Sequence, residues 1–149
     1  MATPPNNPVV QPYLFFDGRC EEALEFYKKG LGARVLALFH YKDSPEPHDS
    51  KYGPPPPVDK VMHARMVIGH SVIMVSDGHC AGKPAFEGFS MSITVSTEAD
   101  ADRYFNALAD GGTVMMPLTK TFFSPRFGMV KDRFGVGWMI MVEGQPSPQ

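Results

Sequence analysis

The stretch HARMVIGHSVIMVSDGHC, residues 63 to 80, carries His63, His70, His79 and Cys80 in a chain with five histidines and two cysteines. Imidazole and thiolate are common ligands of zinc and related ions, but ligands must converge in space as well as crowd in sequence. Their spacing separates them. VMHARMVI and SVIMVS read as strands joined by a two-residue Gly69-His70 turn, which points His70 to water. In that register Arg65 opposes Met74 and His63 opposes Ser76, and cross-strand partners share a face. His63, Arg65, Met74 and Ser76 then line one side of the hairpin, while Ala64, Met66, Ile73 and Val75 turn toward a helix. His79 and Cys80 fall in a loop, where neighbouring side chains seldom meet as nucleophile and base. His63 is the candidate acid or base, and Arg65 suits a carboxylate, phosphonate or phosphate.

The elements around this hairpin occur twice. YLFF (13 to 16) reads as a strand stopped by Asp17-Gly18, followed by a helix with Ala23, Phe26, Tyr27 and Leu31 on one face. Acids begin that helix, lysines end it, and Gly30 or Gly32 stops it. ARVLALFHY (33 to 41) is the next strand. In the second half SMSITV (90 to 95) is a strand and Ser96 or Thr97 caps a helix bearing Ala101, Tyr104, Phe105 and Leu108. DGG at 110 to 112 ends it, TVMMPL (113 to 118) follows, and FGMVKDRFGVGWMIMV supplies a closing hairpin with Asp132-Arg133-Phe134-Gly135 at its turn. Each half is strand, helix, strand, strand, strand. The expected fold class is α+β, with two βαβββ modules forming paired curved mixed sheets around a groove and helices on the outer faces.

Alternation then assigns the second sheet. Ser90, Ser92 and Thr94 share one face, opposite Met91, Ile93 and Val95. Gly137, Met139 and Met141 face the groove, with Trp138 and Ile140 in the core. Competing readings make the methionines core and leave the hydroxyls on solvent. Phe122, Phe123 and Phe127 either wall the groove or belong to the core.

Composition limits the function classes. The formal charge of −2, with 20% charged residues of both signs, offers no basic face for nucleic acid. No apolar run approaches the roughly 20 residues of a membrane helix, and MATPPNNPVVQP lacks the apolar centre of a secretion signal. A cytoplasmic location is expected, with Cys20 and Cys80 as free thiols. SPEPHDSKYGPPPP, residues 44 to 57, reads as a long surface loop holding His48, either a plain connection or a lid.

PYLFFDGRCEEALEFYKKGLGARV, HARMVIGHSVIMVSD and FFSPRFGMVKDRFGVGWMI together resemble the PhnB-like branch of the vicinal oxygen chelate superfamily, which holds glyoxalases, bleomycin-resistance proteins and extradiol dioxygenases. The resemblance spans residues 11 to 142 as one domain, with modules at about 11–79 and 88–142 and flexible tails at 1–10 and 143–149. It implies a homodimer. Some relatives are labelled demethylubiquinone methyltransferase domains, but the glycine-rich turn of a methyl-donor site is missing here. Metal-using members of the superfamily place four ligands at positions that fall near Pro12 (or Gln11), Met74, Ser90 and Met139. None of Pro12, Met74, Ser90 or Met139 suits a divalent ion.

The expectation is therefore a metal-independent, cofactor-free protein binding a small molecule in the groove between the modules, through Arg65, Met74, Ser76, Ser90, Ser92 and Met139. The rival is an enzyme of the same fold, of lyase, isomerase or dioxygenase kind, with His63 as acid or base on a small anionic substrate. A third reading has His63 share a metal with a residue of a partner chain. No nucleic acid or membrane partner is expected.

Overall fold

The computed structural model describes residues 8–46, 48, 49, 51, 53–80 and 82–144. The expected tails fall largely, and the 44–57 loop partly, outside these residues. Two compact units, 1–83 and 84–149, divide the chain. The first runs β1 (Tyr13–Phe15), α1 (Cys20–Leu31), β2 (Arg34–His40), β3 (Val61–Ile68) and β4 (Ser71–Ser76). The second runs β5 (Met91–Val95), α2 (Glu98–Ala109), β6 (Thr113–Thr119), β7 (Phe127–Lys131) and β8 (Gly137–Val142). Each forms a four-stranded mixed sheet, ordered β1-β4-β3-β2 and β5-β8-β7-β6. The fold class is α+β, as the repeat indicates. Among the described residues no helix is long and apolar enough to cross a membrane.

In the first unit Gly69 adopts φ 60°, the left-handed torsion a tight hairpin turn requires, and so sets the register. Ile68 pairs with Ser71, Val67 with Val72 and Arg65 with Met74, as the two-residue turn dictates. Ala64, Met66, Ile73 and Val75 are buried together with Ala23, Leu24, Tyr27 and Leu31 of α1. Each large apolar side chain so buried contributes about 1.5–3 kcal/mol. Gly30 lies inside the helix, and Gly32, at φ 68°, provides the left-handed cap whose N–H reaches the Tyr27 carbonyl. β2 stops one residue short of the expected Tyr41. There a short 3-10 turn over Tyr41–Asp43 begins, fixed by the Asp43 carboxylate, which accepts from the His40 N–H at 2.8 Å.

In the second unit Thr97, not Ser96, caps α2, its hydroxyl accepting from Asp100 N at 3.1 Å. Ala101, Phe105 and Leu108 pack over Val130, Trp138, Ile140 and Val142. Gly128 lets that helix approach, since a Cβ there would sit 2.8 Å from the Phe105 ring. β2 and β6, one edge of each sheet, carry register shifts at corresponding places, where Leu36 and Met115 are left over between paired residues.

Candidate functional site

The side of the first sheet opposite α1 carries the chemistry. β1 pairs in parallel with β4, Tyr13 beside Met74 and Phe15 beside Ser76. With Leu14 buried against the helix, alternation puts Tyr13 and Phe15 on the open face, 38% and 51% exposed. One row across the sheet is thus Tyr13, Met74, Arg65 and Ala37; the next brings Phe15 and Ser76 alongside His63 and Phe39. The rings of Tyr13 and Phe15 stack with centroids 4.9 Å apart and planes within 7°.

A hydrogen bond crosses β4 between the rows. Tyr13 Oη lies 2.7 Å from His63 Nδ1, with ring centroids 5.5 Å apart. Burial, followed by the nearby Cys20 thiol, pushes the Tyr13 phenol above its ordinary range, so it stays protonated at neutral pH. Arg65 is exposed and has no acidic partner among the described residues. Arginine in the interior of a sheet, next to methionine and aromatic rings, presents its planar fork to whatever lies on that face.

The sequence-predicted residues divide. His63, Arg65 and Met74 share the open face. Ser76 is buried, and its hydroxyl donates to the Met62 carbonyl at 2.7 Å while accepting from Gly78 N at 2.9 Å. His70 and His79 are exposed, and Cys80 is a partly exposed free thiol. His48 is exposed, with Nε2 2.7 Å from the Gly53 carbonyl. In the second unit Ser92 and Met139 pair across β5 and β8, Thr94 pairs with Met141, and Ser90 precedes the strand with Oγ against Gly137. Phe127 is buried, whereas Phe123 and Phe122 are exposed.

Overlaying the ladders shows how the repeats have diverged. With Met74 matched to Met139, the positions of Tyr13, Phe15, His63 and Arg65 correspond to Ser92, Thr94, Phe127 and Met129. At these four positions the stacked pair Tyr13 and Phe15 and the basic groups of His63 and Arg65 are particular to the first repeat, and Phe127 is the aromatic that stands where His63 does. Sequence reasoning missed Tyr13, Phe15 and Phe39, although the alternation of YLFF already turned Tyr13 and Phe15 away from the core.

Asp77, also missed, supports this face from behind. It is 2% exposed, and its Oδ1 accepts from Gly18 N at 2.7 Å and Cys20 N at 2.8 Å, while Oδ2 accepts from Val61 N at 2.8 Å. One carboxylate thereby ties the end of β1, the start of α1 and the start of β3 together. It also stands at a helix N-terminus, whose own cap residue Arg19 makes no side-chain cap bond.

The donor set does not fit a divalent metal. Pro12, Met74, Ser90 and Met139 offer no imidazole or carboxylate, and the Arg65 cation stands directly opposite Met74. Among the described residues no group of three or more His, Cys, Asp or Glu side chains converges to hold a metal.

Known proteins resemble this chain along its length. The 3-demethylubiquinone-9 3-methyltransferase family matches residues 8–141. Protein YjdN of Escherichia coli K12 is 35% identical over 93% of this chain and 98% of its own. The crystal structure of protein PA1353 from Pseudomonas aeruginosa superposes with a TM-score of 0.79 at 44% identity, covering 93% of this chain and all of that one (100%). A Bacillus cereus PhnB protein follows at TM-score 0.74 and 26% identity, covering 89% and 98%. A glyoxylase/bleomycin resistance protein/dioxygenase domain at 18% identity shares the fold alone. With the repeated βαβββ units and the match along nearly the whole chain, the protein belongs to the PhnB-like branch of the vicinal oxygen chelate superfamily.

Proposed function

We propose that this protein binds a small, partly apolar anion without a metal, on the open face of the first sheet. The observation that carries the reading is Arg65, a guanidinium in mid-sheet, unpaired by acid among the described residues and bordered by Met74 and the Tyr13 ring. Arg65 takes the anionic group, while Tyr13, Phe15 and Phe39 supply flat apolar surface. Ser90, Ser92 and Met139 form a second, hydroxyl and thioether surface in the other unit, and Ser76 steadies the end of β4 from inside. The protein works as a cytoplasmic homodimer.

Methyl transfer, which the family's description names, is not the favoured activity. The strand-to-helix turn Asp17-Gly18-Arg19 holds one glycine, and the amides of Gly18 and Cys20 are already taken by Asp77. That helix start has few free donors for a methyl-donor cofactor.

Titrating isotopically labelled protein with benzoate, phenylacetate and neutral benzamide tests the reading by amide shifts. The expected result is shifts confined to β1, β3 and β4, with the two carboxylates favoured and their affinity reduced about tenfold in Arg65→Ala, the loss of roughly one charged hydrogen bond. Shifts elsewhere, or affinities indifferent to Arg65, would overturn it. Elemental analysis finding stoichiometric zinc, nickel or iron would overturn metal independence, and a monomeric mass by light scattering would overturn the dimer.

A further inference from the structure

His63 has one ring nitrogen engaged and one available. Nδ1 meets Tyr13 Oη at 2.7 Å, and Nε2 has no hydrogen-bond partner among the described residues. Arg65 is two residues further along the same strand and on the same face, a spacing of about 6.6 Å. The stacked rings of Tyr13 and Phe15 lie across β4 from both. A base, a cation and a stacked pair of rings thus occupy one patch, where the four matching positions of the second repeat hold Ser92, Thr94, Phe127 and Met129.

We propose that this patch catalyses keto–enol proton transfer on aryl-substituted 2-oxo carboxylates, with His63 as the base, Arg65 as the carboxylate anchor and Tyr13 as a positioning residue. The inference rests on the open face being the ligand site. Tyr13 Oη accepts from the Nδ1–H, which leaves the lone pair on Nε2. Nε2 removes a proton from C3, the C3–H bonding pair becomes the C2–C3 double bond, and the carbonyl π pair moves to oxygen. The imidazolium then returns the proton to that oxygen. Atoms and electrons balance without oxidant, reductant or co-reactant. A carboxylate separated from C3 by one carbon suits the reach between Arg65 and His63, and an aryl group on C3 falls toward the Tyr13 and Phe15 rings.

Phenylpyruvate is the probe, with exchange of its C3 protons for deuterium followed by NMR and enol formation by ultraviolet absorbance. Acceleration by the intact protein is expected, reduced at least 100-fold, a typical acid–base contribution, in His63→Asn, or in His63→Gln should the first variant unfold. Arg65→Gln raises KM about tenfold with a smaller effect on kcat. Tyr13→Phe leaves KM in place, lowers kcat about tenfold and shifts the pH profile, as loss of an orienting partner does. Acceleration that survives loss of His63 overturns the proposal. Phenylpyruvate shifting the β1, β3 and β4 amides without exchange also overturns it and leaves the binding reading standing. Absence of both exchange and amide shifts overturns both.

Discussion

The Asp77 carboxylate caps a helix that begins 57 residues earlier, accepting from Cys20 N at 2.8 Å. The same group holds Gly18 N and Val61 N, so a single side chain satisfies three backbone donors, of which those of Cys20 and Val61 are buried. Asp77→Ala should cost about 3 kcal/mol or more, since each orphaned buried donor costs about 1–3 kcal/mol. Asp77→Asn should cost about 2 kcal/mol, because its amide meets at least one N–H that needs an acceptor. Urea unfolding followed by circular dichroism measures both, and a change below about 0.5 kcal/mol, ordinary for a surface site, would show that the latch is dispensable.

Gly128 is expected to tolerate no side chain. A Cβ there meets the Phe105 ring at 2.8 Å and Leu118 at 3.0 Å, so Gly128→Ala should separate α2 from β7 and destabilise by about 1–3 kcal/mol, as overpacked cores do. Trp138, the one tryptophan, reports the change, because its indole N–H donates to the buried Asp132 carboxylate at 2.9 Å. A thermal midpoint and an emission maximum unchanged by the substitution would contradict this packing.

The two thiols should differ in reactivity. Cys20 is fully buried, and that burial, with Asp77 and Glu21 beside it, pushes its thiol far above the ordinary range. Cys80 is partly exposed and raised by burial and then by Asp77 and Asp17, so it too reacts slowly, but a reagent can reach it. Iodoacetamide at pH 8 should add one label to the folded chain and a second only on unfolding, as read by intact mass. Equal labelling rates in the folded protein would refute the assignment.

Acid should weaken the first turn of α2. Hydrogen bonds from Arg103 and then from Thr97 lower the Asp100 pKa, so its contribution is complete above the unfolded-state value and disappears as pH falls through the folded one. Asp100→Asn should therefore be less stable than the parent at pH 7 and equal to it near pH 2. A difference that persists at pH 2 would exclude the carboxylate as its source.

How much of this could be read in advance depends on the range of each constraint. The β3–β4 register followed from a two-residue turn, so Arg65 facing Met74 and the burial of Met66 and Val75 were legible in the sequence. The helix face of the second repeat was legible for the same reason, through the local spacing of Ala101, Phe105 and Leu108. Tyr13 against His63 was not, because β1 joins β4 in parallel and no turn between them fixes the offset. Asp77 was not legible, since nothing local shows that a carboxylate will find donors on distant elements. Ser76 was placed on the open face by alternation, which is blind to a hydroxyl that can turn inward to the Met62 carbonyl.

The unmatched residues at Leu36 and Met115 have a consequence for life at high concentration. Each interrupts the ladder of a strand with one side unpaired, among exposed apolar neighbours such as Val35 and Val114. A straight strand of that composition would be a template for other chains to stack on. One extra residue spoils the match, so the irregularity at Leu36 and at Met115 makes each of these edges a poorer template for stacking than a straight strand would be.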